Sequence, residues 1–260
     1  MTVGEKEVRT QREEARESHF WDAFAAAAPV EPVRPGPLDV YTAARLRLLG
    51  RLAGKRVLDL GCGLGYAATL LALHGATVHA VDISERCVRT TAQRAAASGV
   101  ADRVHARVMS AYRLAFADET FDLVHGQDIL HHLDIATAGV EIKRVLRRGG
   151  RAVFQENNAN NPLLMLARRL CGHFGIPKWS TDDEYPLTRA EIAQLGRIFD
   201  GAAAVYYPAL EFFRLADMKL CGYRYAFVSA ACAVLDRWAY RIPALRPYGY
   251  KQVVVLRRVR

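Results

Sequence analysis

Val57-Leu58-Asp59-Leu60-Gly61-Cys62-Gly63-Leu64-Gly65-Tyr66 is the stretch whose reading decides the fold. Residues 56–60 read as a short buried strand that runs into a glycine cluster, and residues 66–73 as the helix that follows it. Glycines after a parallel strand let the backbone turn tightly and approach a ligand at the helix N-terminus. Asp59 sets a carboxylate at the end of that strand, close to the loop.

Downstream, strands and helices alternate. Residues 77–81 form the second strand, ending at Asp82, and Ser84 is placed to cap a helix running to about Ser98. Strands follow at 104–108 and 121–125, then a helix at 136–146, a turn at Gly149-Gly150 and a fifth strand at 151–155. This rhythm argues for a parallel sheet covered on both faces. Upstream, residues 3–28 read as a helix whose apolar residues, Phe20, Trp21 and Phe24, come late. Pro29, Pro32, Pro35 and Pro37 make an extended linker to a second helix at 38–52. Past Glu156 the pattern loosens into an insertion at 157–183 with a helix near 163–170 and a loop carrying Trp179. Thr188 and Glu191 form a capping box for a helix ending near Phe199, and strands are expected at 203–207 and 252–256. Between them, residues 211–241 are aromatic-rich and read as mostly helical. One domain spans 1–260: N-terminal helices at 1–52, a ligand-binding core at 53–157, and insertions with the last strands at 158–260.

Composition bounds the rest. The first 18 residues are charged and hold no apolar stretch fit for a signal peptide, and nothing approaches a membrane span. Five scattered cysteines without a C-x-x-C pair support neither a disulfide framework nor a metal site, so a cytoplasmic location is expected. The net charge of +9 reads first as a solvated, Arg-rich surface and otherwise as attraction to an anionic partner; the basic residues do not gather in one tract, so the charge decides nothing by itself.

The chemistry of the loop narrows its ligand. A dinucleotide fingerprint would need Gly or Ala where Tyr66 stands, and here the third glycine comes one position early. Asp59 is badly placed for a doubly negative pyrophosphate and well placed for an ammonium group, which S-adenosylmethionine carries beside its sulfonium. Asp82 lies about 20 residues past the loop, the distance at which an acid reaches ribose hydroxyls.

With these motifs the chain resembles the class I S-adenosylmethionine-dependent methyltransferases, in particular the small-molecule group of ubiquinone and menaquinone biosynthesis. The resemblance covers about residues 55–157: the glycine motif, Asp82, Phe121-Asp122-Leu123-Val124 leading to Leu130-His131-His132-Leu133, and Leu146-Arg147-Arg148-Gly149-Gly150-Arg151. It implies a Rossmann-like, doubly wound α/β sheet of about seven strands with the last antiparallel, an N-terminal helical segment and a helical lid. It implies that Asp59 and Gly61 hold the methionyl end of the cofactor, Asp82 the ribose, and Ile83 the adenine, with Gly63 among the cofactor-binding residues. Where the family often has an acid contacting the adenine amine, this chain reads Met109-Ser110-Ala111, so Ser110 and Ala111 are the candidates there. Gln127 falls where cofactor and acceptor meet.

Methyl transfer from a sulfonium needs collinear donor and acceptor, and a base when the acceptor is a hydroxyl. His131, His132 and Glu156, at the ends of strands four and five, are the catalytic candidates, with Asp128 beside them. No Asn-Pro-Pro-Tyr follows strand four, so a nucleic-acid substrate is disfavoured. The aromatics of 208–250, Phe212, Phe213 and Trp238 among them, suggest an apolar lid over a hydrophobic or aromatic small-molecule acceptor: polyketide-like, isoprenoid or lipid-linked. Basic residues beside apolar helices also allow peripheral membrane contact for a lipid acceptor. A non-catalytic S-adenosylmethionine-binding regulator and an RNA methyltransferase are the alternatives; oligomeric state is not legible.

Overall fold

A computed structural model describes residues 3–34, 36, 38–170, 185–206, 222 and 224–259. Strands β1 (Arg56–Leu60), β2 (Thr77–Asp82), β3 (Val104–Val108), β4 (Phe121–Gln127), β5 (Leu146–Asn157), β6 (Ala202–Tyr206) and β7 (Lys251–Arg257) form one sheet in the order β3-β2-β1-β4-β5-β7-β6. The first five are parallel, and β7 runs antiparallel to both β5 and β6. The expected Rossmann-like sheet is therefore present, with its last strand reversed.

Successive residues of β1 show why the strands read as continuous apolar runs. Val57 joins the core with α2 (Val40–Leu49) and α3 (Tyr66–Leu73), while Leu58 joins the one with α5 (Ile135–Val145) and α7 (Arg189–Ile198). Side chains alternate across a strand, so a sheet covered on both faces needs apolar residues at every position. Several helices start where a polar side chain meets their orphan N–H groups: Asp39 caps α2, Asp134 caps α5, and Thr188 with Glu191 forms the expected capping box on α7.

One boundary differs from expectation. Gly149-Gly150 is not a turn before strand five but lies within β5, which begins at Leu146. The register with β4 slips there, and the Gly149 N–H and Gly150 carbonyl bond instead to Arg258 at the end of β7. Gly149 has φ +75°, so the pair gives a bulge rather than an exit from the sheet.

Two upstream segments close over the carboxyl ends of the strands. α1 (Val3–Ala26) packs on α4 (Glu85–Ala97), where Asp22 Oδ1 accepts from Ser84 Oγ at 2.5 Å and from the Arg86 N–H at 3.0 Å. Those bonds hold the Asp22 carboxyl below its usual pKa, and they let α1 help cap α4. The proline linker is also tied down. Arg94, fully buried on α4, donates to the carbonyls of Leu64, Glu31 and Pro29 and lies 3.6 Å above the Tyr66 ring.

The expected helix near 163–170 is α6 (Pro162–Leu170), and part of the aromatic region is α8 (Ala226–Ala239). Phe227, Leu235 and Trp238 on α8 are exposed, whereas Asp236 is buried. Trp179, Phe212 and Phe213 lie outside the described residues. Among the described residues, no helix is long and apolar enough to cross a membrane.

Candidate active site

The glycine loop is shaped by what stands behind it. Gly61 has φ +67°, and a Cβ there would come 2.7 Å from Ile129 Cδ1; Gly65, at φ +80°, would meet the Thr91 backbone at 2.6 Å. Both positions need glycine for conformation and for space. The loop opens onto a cavity of about 320 Å³ beyond the ends of β1, β2 and β4. Asp59, Gly61, Gly63, Asp82, Ile83, Ala111 and Gln127 all line it, as does His132.

Asp59 is almost wholly buried, and its Oδ1 lies 2.6 Å from His125 Nδ1. Behind it, Arg45 Nη1 approaches His125 Nε2 at 3.3 Å and donates to Gln127 Oε1 at 2.5 Å. A guanidinium can only donate, so Nε2 accepts and the His125 ring proton sits on Nδ1, facing Asp59. This chain fixes the Asp59 carboxylate and leaves its Oδ2 buried without a hydrogen-bond partner. A buried acceptor without a donor is costly. One beside a glycine loop fits the ammonium end of S-adenosylmethionine.

Asp82 Oδ1 accepts from the Ser84 N–H at 2.9 Å and Oδ2 from the Gly63 N–H at 2.8 Å. Burial pushes its carboxyl pKa up, and those backbone donors counter it only in part. Each oxygen retains a lone pair for a ribose hydroxyl. Asp82→Ala is therefore expected to weaken S-adenosylmethionine binding by about 1.5–3 kcal/mol for each charge-assisted bond lost. Calorimetry that finds parental affinity in a folded variant would remove Asp82 from the site.

The three catalytic candidates part company. Glu156 is completely buried and lies outside the cavity lining; its carboxylate accepts from the Ile129 N–H at 3.0 Å and the Leu130 N–H at 2.7 Å, and pairs with His131 Nδ1 at 2.6 Å. His131 is likewise outside the lining, turned inward onto Glu156. This pair organises the loop after β4 from below. His132 alone of the three lines the cavity, with Nδ1 3.5 Å from Glu17 Oε2 and its ring edge-on to Trp21. Nearby, Asp128 adopts φ 52° and holds Lys251 Nζ at 2.7 and 2.9 Å. The Lys251 ammonium keeps the Asp128 carboxyl ionised against the effect of burial.

Ser110 also departs from expectation. It is not part of the lining; its hydroxyl donates to Glu14 of α1 while its oxygen accepts from the Tyr112 N–H at 3.1 Å. Thr10, Glu13, Glu14, Glu17, Trp21 and Phe24 make α1 one wall of the cavity. The sequence signalled this only as a charged helix with late aromatics. Arg45 and His125 gave no signal, because their role comes from a contact 80 positions apart in the chain.

The chain is similar to known methyltransferases in sequence and fold. A family model described as a methyltransferase domain matches residues 58–154. The ubiquinone biosynthesis O-methyltransferase of Alkalilimnicola ehrlichii is 34% identical over 149 residues, covering 56% of this chain and 58% of that protein. Its counterpart from Aeromonas salmonicida is 26% identical over 83% of this chain and 92% of its own length. Among solved structures, the geranyl diphosphate C-methyltransferase of Streptomyces coelicolor superposes with a TM-score of 0.59 at 15% identity, over 94% of this chain and 96% of that one. That likeness shows the shared fold. The sheet order, with its reversed last strand, is that of the Rossmann-like methyltransferase fold. Over residues 58–154 the chain is similar to the methyltransferase-domain family, and it spans 58% of the length of the Alkalilimnicola relative; S-adenosylmethionine is the cofactor that fits this site.

Proposed function

We propose that the protein methylates a hydroxyl group on a small hydrophobic or aromatic metabolite. The observation that carries this reading is His132, a titratable side chain facing the same cavity as Asp59 and Asp82, beside Trp21. Bound S-adenosylmethionine supplies an electrophilic methyl group on a sulfonium. Asp59 and Asp82 hold the two polar regions of the donor, and the glycine loop fixes its path. His132 accepts the acceptor's hydroxyl proton as the new C–O bond forms and the S–C bond breaks. The Glu17 carboxylate, 3.5 Å from Nδ1, favours the imidazolium so formed. Trp21, Phe24, Ile129 and Leu133 make the surrounding wall apolar, which excludes water and selects an apolar acceptor.

Contact with a lipid surface belongs to the same reading. Phe227, Leu235 and Trp238 share an exposed stripe at helical spacing on α8, and Arg241 stacks over Trp238 at 4.6 Å. This is the pattern of a helix lying at a bilayer interface.

The test is incubation with methyl-labelled S-adenosylmethionine, metabolite extracts and anionic vesicles. Label is expected in organic-extractable ethers, with protein in the vesicle pellet. Label confined to RNA, or donor binding without transfer, would overturn the reading in favour of an RNA methyltransferase or a regulator. Protein that stays in the supernatant would remove the membrane contact alone.

A further inference from the structure

We propose that Glu14, on the N-terminal helix, reads the exocyclic amine of the cofactor's adenine. The inference rests on the cofactor assignment above and on the geometry of three adjacent strand ends. β1, β2 and β3 are neighbours in the sheet, and their carboxyl ends carry Asp59, Asp82 and the Met109-Ser110-Ala111 turn in that order. Neighbouring strands lie about 4.8 Å apart, so the line from β1 to β3 is roughly 10 Å long. A ligand with its ammonium at Asp59 and its ribose at Asp82 sets its base at the end of β3, beside Ile83, Met109 and Ala111, all three of which line the cavity.

An adenine amine needs an acceptor at that end. Neither Met109 nor Ala111 has a polar side chain, and Ser110 lies outside the cavity lining, its hydroxyl donating to Glu14 and accepting from the Tyr112 N–H. A carboxylate reaches that end from a residue 96 positions earlier in the chain. Glu14 is half-buried and lines the cavity. A carboxylate has about four acceptor positions, so the bond from Ser110 orients Glu14 without exhausting it. α1 is held in place independently, by Ser18 Oγ donating to the Ile83 carbonyl at 3.1 Å and by Asp22 at the start of α4. Glu14 is therefore fixed over the base from both sides.

The closing experiment measures binding, not turnover. Calorimetry compares S-adenosylhomocysteine with S-inosylhomocysteine, in which a carbonyl replaces the amine. The parent is expected to prefer the adenine form by about tenfold or more, because a carboxylate accepts from an amine and repels a carbonyl. Glu14→Ala is expected to lower affinity for S-adenosylhomocysteine about tenfold, to change S-inosylhomocysteine binding less than twofold, and so to erase the preference. Glu14→Gln, which keeps an acceptor and the Ser110 bond, should retain part of it. Equal losses for both ligands would show that Glu14 only orders α1, and would overturn the proposal. So would a preference that survives Glu14→Ala and disappears in Ser110→Ala, since the hydroxyl would then be the reader. A parent that binds neither ligand overturns the cofactor assignment together with this inference.

Discussion

His132→Ala is expected to lower kcat at least a hundredfold while S-adenosylmethionine affinity stays within a few-fold of the parent. A positioned general base contributes about 10²–10⁴-fold. Of the three candidates at the ends of strands four and five, His132 alone lines the cavity, where a neighbouring carboxylate can stabilise its protonated form. Its carboxylate neighbour is Glu17 of α1, on the cavity wall, so donor binding at Asp59 and Asp82 should survive its loss. Turnover within a few-fold of the parent would show that transfer depends on proximity and orientation alone.

Glu156→Ala is expected to act on folding before it acts on chemistry. Its carboxylate has no exposure and three donors around it, from Ile129, Leu130 and His131. Truncation strands those donors in the core, and removing one partner of a buried pair costs about 3–5 kcal/mol. In a chain of this size that lowers the thermal midpoint by roughly 10 °C. Glu156→Gln keeps one acceptor oxygen and should recover part of the loss. Calorimetric melting checks both. A Glu156→Ala variant that melts like the parent but has lost turnover would return this residue to the chemistry and overturn the reading of it as a support.

The two expectations separate residues that look alike in the sequence. His131 and His132 are neighbours in the chain, yet a short 3-10 turn at Leu130–His132 sends one ring to Glu156 and the other to the cavity wall. No residue pattern distinguishes them, because the difference is set by which side of the turn β5 lies on.

Much was legible because the signals were local. The glycine loop demands a tight turn at positive φ, the apolar runs demand a sheet buried on both faces, and the caps at Ser84 and Thr188 act within four residues. These requirements follow from backbone sterics and hydrogen bonding within a short window, so they survive without the rest of the molecule. Asp59 and Asp82 were readable for the same reason, as each stands at the end of a strand.

The sequence by itself determined the parallel core, the nucleotide-type loop and the two acids that face it. Only the tertiary structure decided how that site is completed. Glu14 meets Ser110, Glu17 meets His132, and Arg45 fixes His125 behind Asp59, each across a separation in the chain that no periodicity encodes. The physical reason is that hydrogen bonds and ion pairs depend on distances of a few ångströms in space. α1 and α2 reach those distances only after their packing on the finished sheet has been settled by the burial of apolar surface.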